Sequence, residues 1–238
     1  MSRFTLYRNV IRSFVDAELS TVRKVIADYS RIKHQATPDE ALNDGIFTHR
    51  LNYYPKSLKM NFWESHFEWQ ALMNYAKPGE SILDFGCGSG HSDILLARNG
   101  FTVHGVDLSG LAIRIANKLL ESEREEVRNR LSFSKTDVLE HLPPNDKKYD
   151  VIWASHVFEH LVEAESLISK LLLWLKPGGQ FYISVPFGDA YSDPGHIQKF
   201  FSVDELSMFL GPELMLKSFE HNKKHDVLRA QYTAKMGT

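Results

Sequence analysis

A single cysteine, Cys87, is all that the 238 residues contain. One thiol excludes an intramolecular disulfide framework and a multi-cysteine zinc site. Long apolar runs are missing as well: no stretch approaches the ~18 uninterrupted apolar residues of a membrane span, so no membrane partner is expected. The opening MSRFTLYRNVIRSF carries no long apolar core with a cleavage site behind it. It therefore does not read as a signal peptide, and a cytoplasmic location is expected. An excess of positive charge is also absent. A formal net charge of -2 provides no global field to attract nucleic acid. The segment 1–35 is mildly basic, with Arg3, Arg8, Arg12, Arg23, Lys24, Arg31 and Lys33 against Asp16, Glu18 and Asp28. It reads as a solvated amphipathic helix.

What is present is the composition of an ordinary globular protein, 43% hydrophobic and 24% charged, long enough for one α/β domain with a proper core. Residues 1–77 read as helical. Val10, Phe14, Ala17 and Thr21/Val22 recur at helix spacing, as do Phe62, Phe67, Gln70/Ala71 and Asn74. Two turn-rich stretches, Ala36 to Gly45 and Asn52 to Ser57, read as loops. From residue 78 on, strand-length apolar runs alternate with helix-period segments. The strands expected are Ser81 to Phe85, Phe101 to Asp107, Leu131 to Asp137, Tyr149 to Ala154 and Gln180 to Pro186. The helices expected between them are His91 to Asn99, Gly110 to Arg128 and His160 to Leu175. This alternation implies right-handed crossovers and a mostly parallel sheet with helices on both faces. A further helix, Val203 to Leu210, precedes two strands, Glu213 to Glu220 and Asp226 to Thr233, which read as a hairpin at the sheet edge. The expected organisation is a catalytic domain over 78–238 with a helical cover over 1–77.

The sharpest motif is Ile82-Leu83-Asp84-Phe85-Gly86-Cys87-Gly88-Ser89-Gly90, between an expected strand and an expected helix. Glycines let the backbone turn tightly and approach a ligand closely, and a turn here lies at the ligand end of an open α/β sheet. A dinucleotide site calls for G-x-G-x-x-G with a pyrophosphate on the helix N-terminus. Here the spacing is G-x-G-x-G, and His91 stands where the third dinucleotide glycine would be. Asp84 would repel a pyrophosphate but pair with an ammonium group. Asp107 ends the second strand, where an acid accepts hydrogen bonds from ribose hydroxyls, and Asp137 ends the third. Each acid alone is as well explained as a helix cap. Three at the ends of successive strands are harder to explain so.

The ordered set ILDFGCGSG, VDLS, TDV, YDVIWASHVFEHL and LKPGGQFYISVP resembles the successive motifs of class I S-adenosylmethionine-dependent methyltransferases, over roughly residues 60 to 220. The resemblance implies a Rossmann-like, seven-stranded sheet whose last strand is antiparallel. It implies that Asp84 and the turn of Gly86, Cys87, Gly88 and Gly90 face the methionine part of S-adenosylmethionine. Asp107 would hold the ribose and Asp137 the adenine amino group. Leu108 and Val138 would flank the adenine ring, and Ala154 and Ser155 would close the pocket.

Acceptor chemistry is expected after the fourth and fifth strands. Ser155-His156-Val157-Phe158-Glu159-His160 contains H-x-x-E-H, the spacing of an inverted zinc-protease motif, which requires both histidines on one face of a continuous helix. His156 follows the strand too closely for that. The small-RNA 2′-O-methyltransferases carry E-x-x-E-H here, with a later histidine, around a divalent ion. This chain has His156 in place of the first Glu, then Glu159, His160 and, after the fifth strand, His196. That set suits Zn²⁺, Mn²⁺ or Fe²⁺ better than Mg²⁺. Equally, Glu159 reads as a helix N-terminal acid with no metal, and His156 or His196 then reads as a general base. The loop Phe187 to Phe201, with Tyr191, His196, Phe200 and Phe201, reads as part of the acceptor site. Phe62, Trp63, Phe67 and Trp69 read as packing the cover on the sheet, and Cys87 as a small turn residue.

The reading is thus S-adenosylmethionine-dependent methyl transfer to a small-molecule acceptor, at oxygen, with histidine or metal assistance. A nicotinamide oxidoreductase, a metallohydrolase and a non-catalytic adenosyl-ligand-binding subunit are the alternatives.

Overall fold

The computed structural model describes residues 20–26, 28, 44–45, 59–137, 148–190 and 195–235. Seven strands form one sheet: β1 Ser81–Phe85, β2 Thr102–Asp107, β3 Leu131–Lys135, β4 Tyr149–Ser155, β5 Leu175–Pro186, β6 Leu214–Asn222 and β7 Val227–Ala234. Their order is β3-β2-β1-β4-β5-β7-β6. The pairs β1–β2, β2–β3, β1–β4 and β4–β5 are parallel, whereas β7 runs antiparallel to both β5 and β6. The sheet is thus the mostly parallel, Rossmann-like one expected, with an antiparallel last strand. The return strand of the terminal hairpin slots in beside β5, leaving β6 at the edge.

Sheet interiors of this kind are buried on both faces, so their strands read as unbroken apolar runs. Ile82 and Leu83, adjacent on β1, are both fully buried, and they belong to different cores. One face carries α6 (Glu165–Leu172) and α7 (Val203–Leu210), which bring Leu167, Ile168, Leu171 and Leu206 onto Leu83, Ile152 and Phe181. The other carries α1 (Met60–Glu64), α2 (Phe67–Leu72), α3 (His91–Arg98) and α4 (Gly110–Glu121), with Trp69, Leu72, Ile94 and Ile115 against Ile82, Val151 and Trp153. Val22, in the helical stretch 20–26, joins this second core. Each such Leu or Ile contributes about 1.5–3 kcal/mol by leaving water.

Three of the expected helical segments depart from expectation, and β5 starts at Leu175, five residues before the expected Gln180. The cover is not one continuous helical face. α1 stops at Glu64 and α2 restarts after His66, whose side chain accepts from the Glu68 N–H. The buried residues become Glu68, Trp69, Ala71 and Leu72, while Phe62 is exposed and Trp63 and Phe67 are half-buried. The segment Gly110 to Arg128 breaks at Ser122, and a short helix α5, Glu125–Arg128, follows. The helix expected from His160 starts only at Glu165. Phe158–His160 is a single 3-10 turn, and Leu161 is extended. The Glu159 carbonyl, which a continuing helix would use, instead accepts from the N–H groups of Ile197 and Gln198 at 2.9 and 3.0 Å. In the first expected loop, residues 44–45 form a helical turn. Val10, Phe14, Ala17 and the second expected loop lie outside the described residues.

Candidate active site

Between β1 and α3 the chain makes its turn through Gly86, Gly88 and Gly90, with φ of 85°, 54° and 71°. Only glycine takes this left-handed region without strain. Close approach adds a second reason. A Cβ on Gly86 would lie 2.4 Å from Cγ2 of Val157, and one on Gly90 would lie 2.4 Å from the Phe133 ring. The N–H groups of Gly86 and Cys87 both donate to the Val106 carbonyl, at 2.9 and 3.1 Å. The turn is thereby clamped to the end of β2.

Asp107 holds the same two elements together. Its Oδ2 accepts from the Gly88 N–H at 2.9 Å and its Oδ1 from the Ser109 N–H at 2.7 Å. An ionised carboxylate has about four lone-pair sites, so each oxygen retains accepting capacity for a vicinal diol. Ser109 caps α4 by accepting from the Ala112 N–H, and its hydroxyl donates to Asp44 at 2.5 Å. Asp44 also accepts from the Leu111 N–H at 3.3 Å. Sequence reasoning missed Asp44, because nothing in its neighbourhood marks it as a partner of a helix 65 residues further along the chain. It missed Gly105 too, where a Cβ would sit 2.9 Å from that of Cys87. A glycine in mid-strand is the signal that could have found it.

Asp84 lies under the turn, 4% exposed. Burial, then Asp93, then Asp107 push its carboxyl well above the usual range. Burial and the same acids push the Cys87 thiol up, which leaves it no thiolate for nucleophilic work. Leu108 and Asp137 are half-buried at the ends of β2 and β3, Ala154 is fully buried, and Ser155 accepts from the Ser184 hydroxyl at 2.9 Å. Val138 lies outside the described residues. This donor set fits S-adenosylmethionine: a close-approach glycine cradle, an acid beneath it for an ammonium and a second acid for a ribose. It does not fit a pyrophosphate.

Beyond β4, His156 follows with φ 56°, a conformation that costs a non-glycine residue about 1–3 kcal/mol and recurs at functional sites. Its N–H donates to the Ser184 carbonyl at 2.9 Å, and its Nδ1 lies 3.2 Å from Oε1 of Glu159. Glu159 is 1% exposed. Burial alone would raise its carboxyl, but His156, then His160 and its own main chain outweigh that and hold it below its ordinary range. Glu159 is therefore an ionised carboxylate behind His156, not a cap for the following helix. His160 Nδ1 donates to the Gly195 carbonyl at 2.8 Å, and the rings of His160 and His196 meet edge to face with centroids 4.9 Å apart.

Of the four expected metal ligands, Glu159, His160 and His196 come together, with one candidate ligand atom from each within 4.8 Å of the others. An ion bound at roughly 2.0–2.2 Å would need them to close to about 3.5 Å. His156 stands outside this trio. The protease geometry is ruled out, because the 3-10 turn spans only Phe158–His160 and supplies no continuous helix. Tyr191 lies outside the described residues. Phe200 is buried and Phe201 is exposed, its ring 2.8 Å from where a Cβ on Gly188 would be.

The sequence profile of a methyltransferase-domain family matches residues 49–228. Among curated proteins, phosphoethanolamine N-methyltransferase 2 of Caenorhabditis elegans is 35% identical over 118 residues, 49% of this chain and 26% of that one. A ubiquinone biosynthesis O-methyltransferase of Acinetobacter baylyi is 27% identical over 142 residues, 54% of this chain and 58% of that one. The chain thus spans less than two thirds of the length of these relatives. Among solved structures, the glycopeptide N-methyltransferase MtfA superposes with a TM-score of 0.60 at 16% identity, covering 71% of this chain and 95% of that one. The [4+2]-cyclase SpnF also gives 0.60 at 16% identity, over 71% and 81%. At that identity the likeness concerns the fold. No helix among the described residues is long and apolar enough to cross a membrane.

Proposed function

Because the chain belongs to the methyltransferase-domain family of class I S-adenosylmethionine-dependent methyltransferases, we propose that it transfers a methyl group to an oxygen of a small-molecule acceptor. The observation that carries this reading is the pair His156–Glu159. A buried, ionised carboxylate stands 3.2 Å from Nδ1 of an imidazole, the kind of pairing used where a histidine takes a proton from a hydroxyl. Val157, the next residue, packs on Gly86. The imidazole is thereby placed beside the cofactor turn.

S-adenosylmethionine, when bound, supplies a methyl group on a positively charged sulfur. Asp84 and the glycine turn hold its amino-acid end, and Asp107 and Asp137 its nucleoside. His156 receives the acceptor's proton on Nε2 while Glu159 holds Nδ1, which stabilises the imidazolium as it forms. Alignment of the acceptor and exclusion of water supply the rest of the rate enhancement. The two curated relatives act, by name, on a nitrogen and an oxygen acceptor, and one fold neighbour is a cyclase. Fold alone therefore does not decide the reaction.

The test is formation of S-adenosylhomocysteine from S-adenosylmethionine with phenol, sugar, other hydroxyl and amine acceptors. His156→Ala is expected to lower kcat on a hydroxyl acceptor by ~10²–10⁴ without changing cofactor affinity, and Glu159→Gln to lower it less. Full activity in His156→Ala, or turnover of amines only, would sink the oxygen reading. Cofactor binding without turnover would favour the non-catalytic subunit. A second reading places a divalent ion on Glu159, His160 and His196 as a Lewis acid for the acceptor hydroxyl. The clustering of these three supports it, and loss of activity to a chelator with recovery on added Zn²⁺ or Mn²⁺ would favour it.

A further inference from the structure

Two carboxyl groups meet under the glycine turn. Asp84 closes β1, and Asp93 sits in the first turn of α3, fully buried. The strand–turn–helix reversal buries the two carboxyls beside each other, close enough that each acts on the other. Carboxylates are acceptors only, so a hydrogen bond between the two requires a proton on one of them. Two full negative charges held there, out of water, would repel each other strongly. Among the described residues, no donor with hydrogen-bond geometry reaches either carboxyl oxygen of Asp93. Its role is therefore not that of a first-turn acid satisfied by helix N–H groups, as α3 is led in by Gly90 with no side-chain cap.

The neighbourhood is acidic. Asp93 and Asp107 are the charges acting on Asp84, and the Cys87 thiol lies in the same field. The imidazole of His91, two residues before Asp93, is engaged with the Ser89 hydroxyl at 2.9 Å. Trp153, the partner of Asp84 on β4, is uncharged and presents a buried indole N–H. Burial raises both carboxyls of the pair, that of Asp93 to about 7.

We propose that Asp93 is a positioning residue for the cofactor's ammonium group, acting through Asp84: the pair holds one proton in the free protein and releases it when the ammonium binds. This rests on the cofactor assignment above. The proton leaves the carboxyl pair for solvent, and the ammonium keeps its own three. The pair passes from one negative charge to two, of which the ammonium neutralises one. Because the bound state carries fewer protons, affinity rises with pH across the range in which the free pair is protonated, up to about tenfold per pH unit for one proton.

The experiment is calorimetry on the wild-type chain near neutral pH in phosphate and in Tris, whose ionisation heats differ. The ligands are S-adenosylhomocysteine and 5′-methylthioadenosine, which lacks the ammonium. Release of roughly one half to one proton with the first and none with the second is expected, with homocysteine-adduct affinity rising about three- to tenfold from pH 6 to 7. Asp93→Asn removes one of the two acids acting on Asp84 and leaves its burial and Asp107 in place, so the affinity should rise less steeply with pH than in the wild type over the same range. Buffer-independent heat with S-adenosylhomocysteine, equal proton release by both ligands, or a wild-type pH slope in Asp93→Asn would each overturn the proposal. Failure of both ligands to bind folded protein would overturn the cofactor assignment along with it, whereas binding without proton release overturns this inference alone.

Discussion

Val157 packs so closely on Gly86 that a methyl group added to the glycine would lie 2.4 Å from its Cγ2. The contact joins the turn after β1, the proposed cofactor side, to the turn after β4, which carries His156. On the proposed reading, the cofactor and acceptor sides share this wall.

Gly86→Ala should therefore damage both sides. The new Cβ meets a branched side chain, and φ of 85° is strained for any L-residue. A loss of about 1–3 kcal/mol in thermal or urea unfolding is expected, with S-adenosylhomocysteine affinity falling at least tenfold. Wild-type affinity in the variant would show that the turn relaxes more freely than its contacts imply.

Arg229, 4% exposed on β7, ties the helical cover to the sheet. Its Nε and Nη2 both lie 3.4 Å from Oε1 of Glu68, its Nη1 lies 3.4 Å from Glu220, and its guanidinium stands 5.0 Å over the Phe67 ring. Glu68 is buried while Glu220 is half-exposed, so only Glu68 is stranded when Arg229 is removed. Arg229→Met is expected to cost about 3–5 kcal/mol. Adding Glu68→Gln should restore much of it, because the stranded charge is gone. Urea melts of the single and double variants measure the difference, and a double variant no better than the single one would count against a buried ion pair.

His66 offers a pH signature. Burial, then the positive charges of His156, His225 and Arg229, bring its imidazole down to about 4. The unfolded chain, with an ordinary value of 6.5, binds more protons than the folded one between those two limits. Stability contributed by neutral His66 is therefore complete above the upper limit and is lost as pH falls through the window. His66→Asn should flatten this part of a melting-temperature profile. An NMR titration of the wild type that places the His66 midpoint above 6 would contradict the assignment.

Local pattern was enough for much of this architecture. Ile82 and Leu83, both apolar on a short run before G-x-G-x-G, can only serve a strand buried on two faces. The alternation that follows dictates parallel crossovers, and Asp84 and Asp107 fall at strand ends because their chain positions put them there. What failed locally was helix continuity. Phe62, Phe67 and Asn74 share a helical spacing, yet the chain turns at His66 and buries Trp69 and Leu72 instead.

Contacts between distant segments decided the rest. His160 opens no helix, because the Glu159 carbonyl is claimed by Ile197 and Gln198 from the loop after β5. By the same loop placement the four expected ligands form a histidine–carboxylate pair, His156 with Glu159, and a trio, Glu159 with His160 and His196, that share the one carboxylate. The meeting of Asp84 with Asp93, and of Arg229 with Glu68, depends on which faces of α3 and α2 are pressed to the sheet. Sequence periodicity is a statement about neighbours along one element. Which buried polar groups find each other is set by how separate elements pack, where each unpaired group would cost several kcal/mol, and only the folded chain settles that.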